Sequence, residues 1–186
     1  MKALLLTSLA APALACPAVD DLATGVAFIL DTGQIERHVA QADMIEARLL
    51  TTLGEDTGEA RTALHGIYPL VSEVGQTRLT HDWPAGLASL PYPRFGLTED
   101  IALVTTQQRF AFPGVFSVSV GDTPTRVRLG DCELEVWGVA TSVSLGEERG
   151  YTTFFHWYPA LGTGVRVRWA ENGALSGEVS VVGVEW

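Results

Sequence analysis

Cys132-Glu133-Leu134-Glu135-Val136 and, later in the chain, Val165-Arg166-Val167-Arg168-Trp169 decide the fold class. In both runs apolar and charged residues alternate at the two-residue period of a strand. A strand of this kind has one apolar and one charged face, the pattern of an antiparallel sheet with one side wet. Outward from these runs the same signal recurs in short stretches ended by Gly, Asp, Asn or Pro. Residues 26–30 and 34–39 form a hairpin around Asp31-Thr32-Gly33. Residues 62–74, 76–81, 101–109, 115–120, 125–129 and 132–145 read as further strands, and Asn172-Gly173 turns the chain into a last one at 178–186. Residues 44–53 fit two periods. Ile45, Leu49 and Leu53 sit at helical spacing, while Ile45, Ala47, Leu49, Thr51 and Leu53 share a strand face; the neighbouring strands and Leu50-Thr51-Thr52 favour a strand. The expected architecture is all-β, about ten or more short antiparallel strands in a sandwich or half-open barrel.

The N-terminus has a different character. Met1-Lys2, an apolar run to Ala11, Pro12 and Ala13-Leu14-Ala15 before Cys16 have the layout of a secretory signal peptide. Residues 1–15 are therefore expected to be removed, leaving 16–186 as one β domain in the periplasm or outside the cell. The apolar run falls short of the roughly 20 residues that span a bilayer, and no later segment is longer. The chain holds Cys 2 in all, Cys16 and Cys132. In an oxidising compartment they read as a disulfide that closes most of the chain into a loop, for which lost chain entropy suggests roughly 4–5 kcal/mol. The rival reading makes Cys16 an acylated first residue, which would tether the protein to an envelope membrane.

Charge excludes other classes. The formal net charge is −10, and loss of Lys2 with the leader makes it more negative. Such a surface repels phosphate backbones and anionic membrane faces, so nucleic acid is not an expected partner. The Arg166 and Arg168 face is expected to form a solvated charge ladder with the Glu133 and Glu135 face, with a seat for an acidic ligand as the alternative.

Catalytic motifs are sparse. Asp-Thr-Gly stands at 31–33 and again at 56–58, the turn of aspartic proteases, but the copies are too close to seed two lobes, and hairpin turns require the same residues. Residues 53–60, with Glu55, Asp56 and Glu59, read as a solvated turn rather than a calcium loop. His38, His65, His81 and His156 show no ligand spacing, and no metal or cofactor is expected. His81, Asp82 and His156 are the first candidates if the protein is a hydrolase whose residues are scattered. Two stretches concentrate aromatics. The long connection 82–96 holds Trp83, Tyr92 and Phe95 among prolines and reads as a plug over one end of the sheet. Residues 151–158 hold Phe155, Trp157 and Tyr158.

Cys16 at the start of the mature chain, Cys132 at the start of a late strand and the turn Tyr158-Pro159-Ala160-Leu161-Gly162 together resemble uncharacterised small exported β-rich proteins of alphaproteobacteria. The turn is also similar to one in envelope proteins with a half-barrel sheet, of the lipoprotein-carrier type. The resemblance covers residues 131–169 and the N-terminus. It implies a half-open sheet and an envelope location, and it transfers no functional residue. The combined expectation is a non-catalytic periplasmic protein. It would bind an apolar small molecule or an envelope protein through an aromatic-lined concavity built from Trp83, Tyr92, Phe95, Phe155, Trp157 and Tyr158. A hydrolase and a lipid-anchored assembly protein are the alternatives.

Overall fold

The structure, a computed structural model, describes residues 16–146 and 150–186; the leader expected at 1–15 lies outside them. The strands are β1 Val26–Leu30, β2 Ile35–Gln41, β3 Met44–Leu50, β4 Asp56–Leu64, β5 Tyr68–Val74, β6 Thr77–Asp82, β7 Thr98–Gln107, β8 Phe110–Val120, β9 Thr125–Leu129, β10 Cys132–Ser144, β11 Gly150–Tyr158, β12 Thr163–Glu171, β13 Ala174–Glu178 and β14 Val181–Glu185. They form one antiparallel 14-stranded sheet, ordered β13-β12-β11-β10-β8-β7-β6-β5-β4-β3-β2-β1-β14, with β9 on the N-terminal half of β10. The all-β class expected from the alternation is the one found.

The sheet curls until its two edges nearly meet. Val179 N–H donates to the Val167 carbonyl on β12 (2.8 Å), and Asp31 N–H, just past β1, donates to the Ser180 carbonyl (2.9 Å). β13 and β14 are thus one run of chain whose first part pairs with β12 and whose second pairs with β1. A twisted sheet of this size curls in this way, since each strand is rotated against its neighbour.

One end of the curled sheet is packed shut. The 83–97 connection crosses it with Trp83, Leu90 and Leu97 buried; the Tyr68 hydroxyl donates to the Pro91 carbonyl (2.8 Å) and the Trp83 indole N–H to the Pro69 carbonyl (3.2 Å). Beside it the β9–β10 hairpin and the short 3-10 helix Val19–Ala23 bury Leu22, Leu129 and Leu134 against Val26, Phe28 and Val165. The Cys16–Cys132 disulfide, with Cα atoms 5.3 Å apart, fastens the chain start to that hairpin.

Three local expectations are corrected. Residues 62–74 are two strands, because His65 and Gly66 adopt positive φ and turn the chain between β4 and β5. A side chain at Gly66 would meet Thr163 Oγ1 at 2.4 Å, so the turn needs glycine for close approach as well as for its dihedral. Of the turn expected at 53–60, residues 53–55 do form one, closed by the Gly54 N–H donating to the Thr51 carbonyl (2.9 Å), whereas 56–60 already belong to β4 and pair with β3 across a bulge. Finally, the Arg166/Arg168 face does not pair with Glu133 and Glu135. Those glutamates lie opposite Arg128 and Arg126 on β9, and Arg126 bonds Glu133 at 3.0 Å. A bulge between Phe154 and Phe155 sets Phe155 opposite Arg166 but Phe154 opposite Arg168. Adjacent strand residues face opposite ways, so the extra residue Val167 sends the two arginines to opposite faces.

Candidate functional site

The inward face of the curled sheet can be followed in cross-strand rows. Phe28, Glu36, Leu49, Glu59 and Val74 form one; Val26, His38, Ala47, Arg61, Ser72 and Leu79 form the next. On the facing wall the rows are Val118, Thr141, Thr153 and Trp169, and Phe116, Val143, Tyr151 and Glu171. Between the walls lies a cavity of about 480 Å³, within the roughly 300–1,000 Å³ of small-molecule sites. Leu49, Ile67, Leu79, Phe116, Leu145, Phe155 and Trp169 give it an apolar lining, and exposed Val74, Glu171 and Asn172 mark where it reaches the surface.

Charge is concentrated on its floor. Glu36 Oε1 accepts from Arg61 Nη2 (2.6 Å) and from His38 Nε2 (2.7 Å), and Arg61 Nη2 also donates to the Gly164 carbonyl across the interior (2.7 Å). Burial alone would raise the Glu36 carboxyl, but Arg61, the His38 bond and Arg166 outweigh it and hold the pKa at about 2. Burial pushes His38 below its usual value against the pull of Glu36, so the ring is neutral. The network then assigns its proton to Nε2, and Nδ1 accepts from the Thr163 hydroxyl at 2.8 Å. Arg61 lies over the Phe155 ring (5.3 Å) and its Nε is buried with no partner. Nearer the opening, Arg166 pairs with Glu59 and lies over Trp169 at 4.4 Å. Gly177, opposite Trp169 on β13, makes room for that indole: a Cβ there would meet Trp169 Cζ2 at 2.1 Å.

Of the aromatics singled out in the sequence, Phe155 lines this cavity. Trp83 does not line it and packs edge-on against Tyr68 and Phe116 in the core. Trp157 and Tyr158 are fully buried; Trp157 donates to the His65 carbonyl (3.1 Å), and the Tyr158 hydroxyl has no partner. Tyr92 and Phe95 are exposed at 53% and 42%; Tyr92 meets Trp157 edge-on and Phe95 lies tilted against Trp137. The residues that the sequence reading missed are Glu36 and Arg61. Glu36 and His38 sit two apart on β2, which places them on one face, but the alternating partners Ile35, Arg37 and Val39 leave open which face is inside.

The histidine candidates do not share a cavity. His81 is buried on β6, bonded through Nδ1 to Thr105 Oγ1 (3.0 Å), and burial lowers its pKa to about 4 against a smaller opposing pull from Asp82. His156 faces a shallower outer depression of about 400 Å³ with Phe154, Arg168 and Glu178. Among the described residues no group of His, Cys, Asp and Glu is arranged to hold a metal ion, and no helix is long and apolar enough to cross a membrane. Comparison with protein-family models, curated proteins and solved structures finds no match.

Proposed function

We propose that the protein is an exported, non-catalytic binding protein that holds an apolar small molecule inside the curled sheet. The observation that carries this reading is the apolar cavity itself, set between two walls whose inward side chains stop short of filling it. Its lining is largely apolar and open to water at one end, so an apolar molecule that covers it gains the free energy of burial. The Cys16–Cys132 disulfide supports export into an oxidising compartment, and a sulfur joined to Cys132 is not free to carry a lipid thioether. His81 and His156 lie apart, which removes the shared centre that a hydrolase built on those two histidines would need.

The test is saturable binding of the apolar fluorophore N-phenyl-1-naphthylamine. Leu79 stands in the cavity wall beside Ser72. Leu79→Trp, which fills the cavity, is expected to weaken binding at least ten-fold with the thermal midpoint little changed. Binding that is absent in the wild type, or equal in the variant, overturns the reading.

A further inference from the structure

We infer that the ligand is a primary amine on an apolar body, its ammonium head donating to Glu36 Oε2 on the cavity floor. The inference rests on the binding role proposed above and adds the chemistry of the head group. Its basis is a buried acceptor that the fold leaves open. Glu36 is 4% exposed and lines the cavity. The bonds it accepts from Arg61 and His38 both end on Oε1. Oε2 accepts none from the described residues, and it is not sealed in as Arg61 Nε and the Tyr158 hydroxyl are. This second oxygen therefore faces the open cavity. With its pKa held at about 2, the carboxyl is ionised. Oε2 is thus a charged acceptor without a donor, and the ligand that satisfies it brings N–H or O–H groups.

The charge of the lining gives that donor its sign. Four carboxylates, Glu36, Glu59, Glu73 and Glu171, stand against two guanidiniums, Arg61 and Arg166. Arg78 reaches Glu73 from outside the lining at 2.8 Å, and Glu171, exposed at the opening, has no ion-pair partner among the described residues. An anion enters against this excess, whereas a cation is drawn in by it and by the net charge of −10 on the whole chain. Both guanidiniums are already engaged. Arg61 is tied to Glu36 Oε1 and the Gly164 carbonyl and lies over Phe155; Arg166 is tied to Glu59 and lies over Trp169. A primary ammonium is compact and carries three N–H donors. Oε2 takes one, and the hydroxyls of Thr141 and Thr153, paired across β10 and β11 on the facing wall, offer acceptors for the others. The apolar body of the ligand would pass Phe155 and Phe116 toward Leu145 and Val74 at the opening.

The experiment compares dodecylammonium, 1-dodecanol and dodecanoate, which share a chain and differ in head charge, by titration calorimetry at neutral pH on the full mature chain. The amine is expected to bind about ten-fold or more tightly than the alcohol, the gain of one charge-assisted hydrogen bond, and the acid more weakly than either. Dodecyltrimethylammonium, which keeps the charge but has no N–H, should lose most of the amine's advantage. Glu36→Gln, titrated where it remains folded, should bring the amine down to the affinity of the alcohol. Equal binding of amine and alcohol, equal binding of the primary and quaternary amines, or an amine preference unchanged in folded Glu36→Gln overturns the head-group assignment while the cavity reading stands. Binding of none of the four ligands by the wild type overturns both.

Discussion

Two arginine–glutamate pairs in different regions of this molecule differ in nearly everything except their chemistry. On the β9–β10 hairpin Arg126 and Glu133 meet at 3.0 Å with side chains 76% and 59% exposed. In the curled sheet Arg61 and Glu36 meet at 2.6 Å with 17% and 6% exposed. Water screens the first pair and makes it nearly dispensable. The second has lost its water, so each partner depends on the other and on His38 and Gly164. Alternating charge along a strand thus signals a sheet, but the curl of that sheet decides whether the charged face meets solvent or a cavity.

The sharpest way to break this contrast is to remove one inner partner. Glu36→Gln leaves Arg61 charged in the interior and should cost about 3–5 kcal/mol in denaturant unfolding. Pairing it with Arg61→Met should restore part of that loss, because a neutral floor needs no counter-charge. The same cycle on Arg126→Ala and Glu133→Ala should give about 0.2–1 kcal/mol, shrinking further in salt.

The disulfide should follow the inner pair in size. It joins residues 116 apart in sequence, and Cys132→Ala with Cys16→Ala is expected to cost roughly 2–5 kcal/mol of the same unfolding free energy.

Acid separates two buried groups of the curled sheet by pH window. His81 has a folded pKa of about 4 against 6.5 unfolded, so the unfolded chain binds the extra proton and stability falls as pH drops from 6.5 toward 4. The loss is on the order of 3 kcal/mol. Glu36, at about 2 against 4.5, contributes stability that is present above pH 4.5 and lost as pH falls toward 2. A His81→Phe variant should shrink the first phase of an acid-unfolding curve, to which buried His38 contributes in the same direction, and keep the second. The smallest effect expected is that of Arg168→Ala. It removes the guanidinium that stacks on Phe154 at 4.0 Å on the outer face and should change stability by about 1 kcal/mol or less and naphthylamine binding not at all.

Strand content was legible because period-two alternation is local: 125–129 and 132–144 follow from the sequence almost residue for residue. The plug was legible too, since prolines and aromatics in a long connection have to go somewhere, and Trp83 and Leu90 went inward. The cavity was not. Its floor is assembled from Glu36, Arg61 and Gly164, which meet only because the sheet curls. No spacing along the chain records a contact made by curvature. The bulge at Phe154/Phe155 was equally silent, and it moved Arg166 into the cavity while leaving Arg168 outside. Aromatic richness pointed to Trp157 and Tyr158, which are core residues, because a strand buried on both faces and a strand lining a site carry the same composition.

The account's central claim is that the cavity is occupied in use. Native mass spectrometry of the protein recovered from its host envelope, before and after denaturation, tests it most directly. A bound small molecule released on denaturation, and missing from Leu79→Trp prepared in the same way, is the predicted result. A bare chain mass from the wild type under native conditions, or a small molecule retained equally by Leu79→Trp, would contradict it.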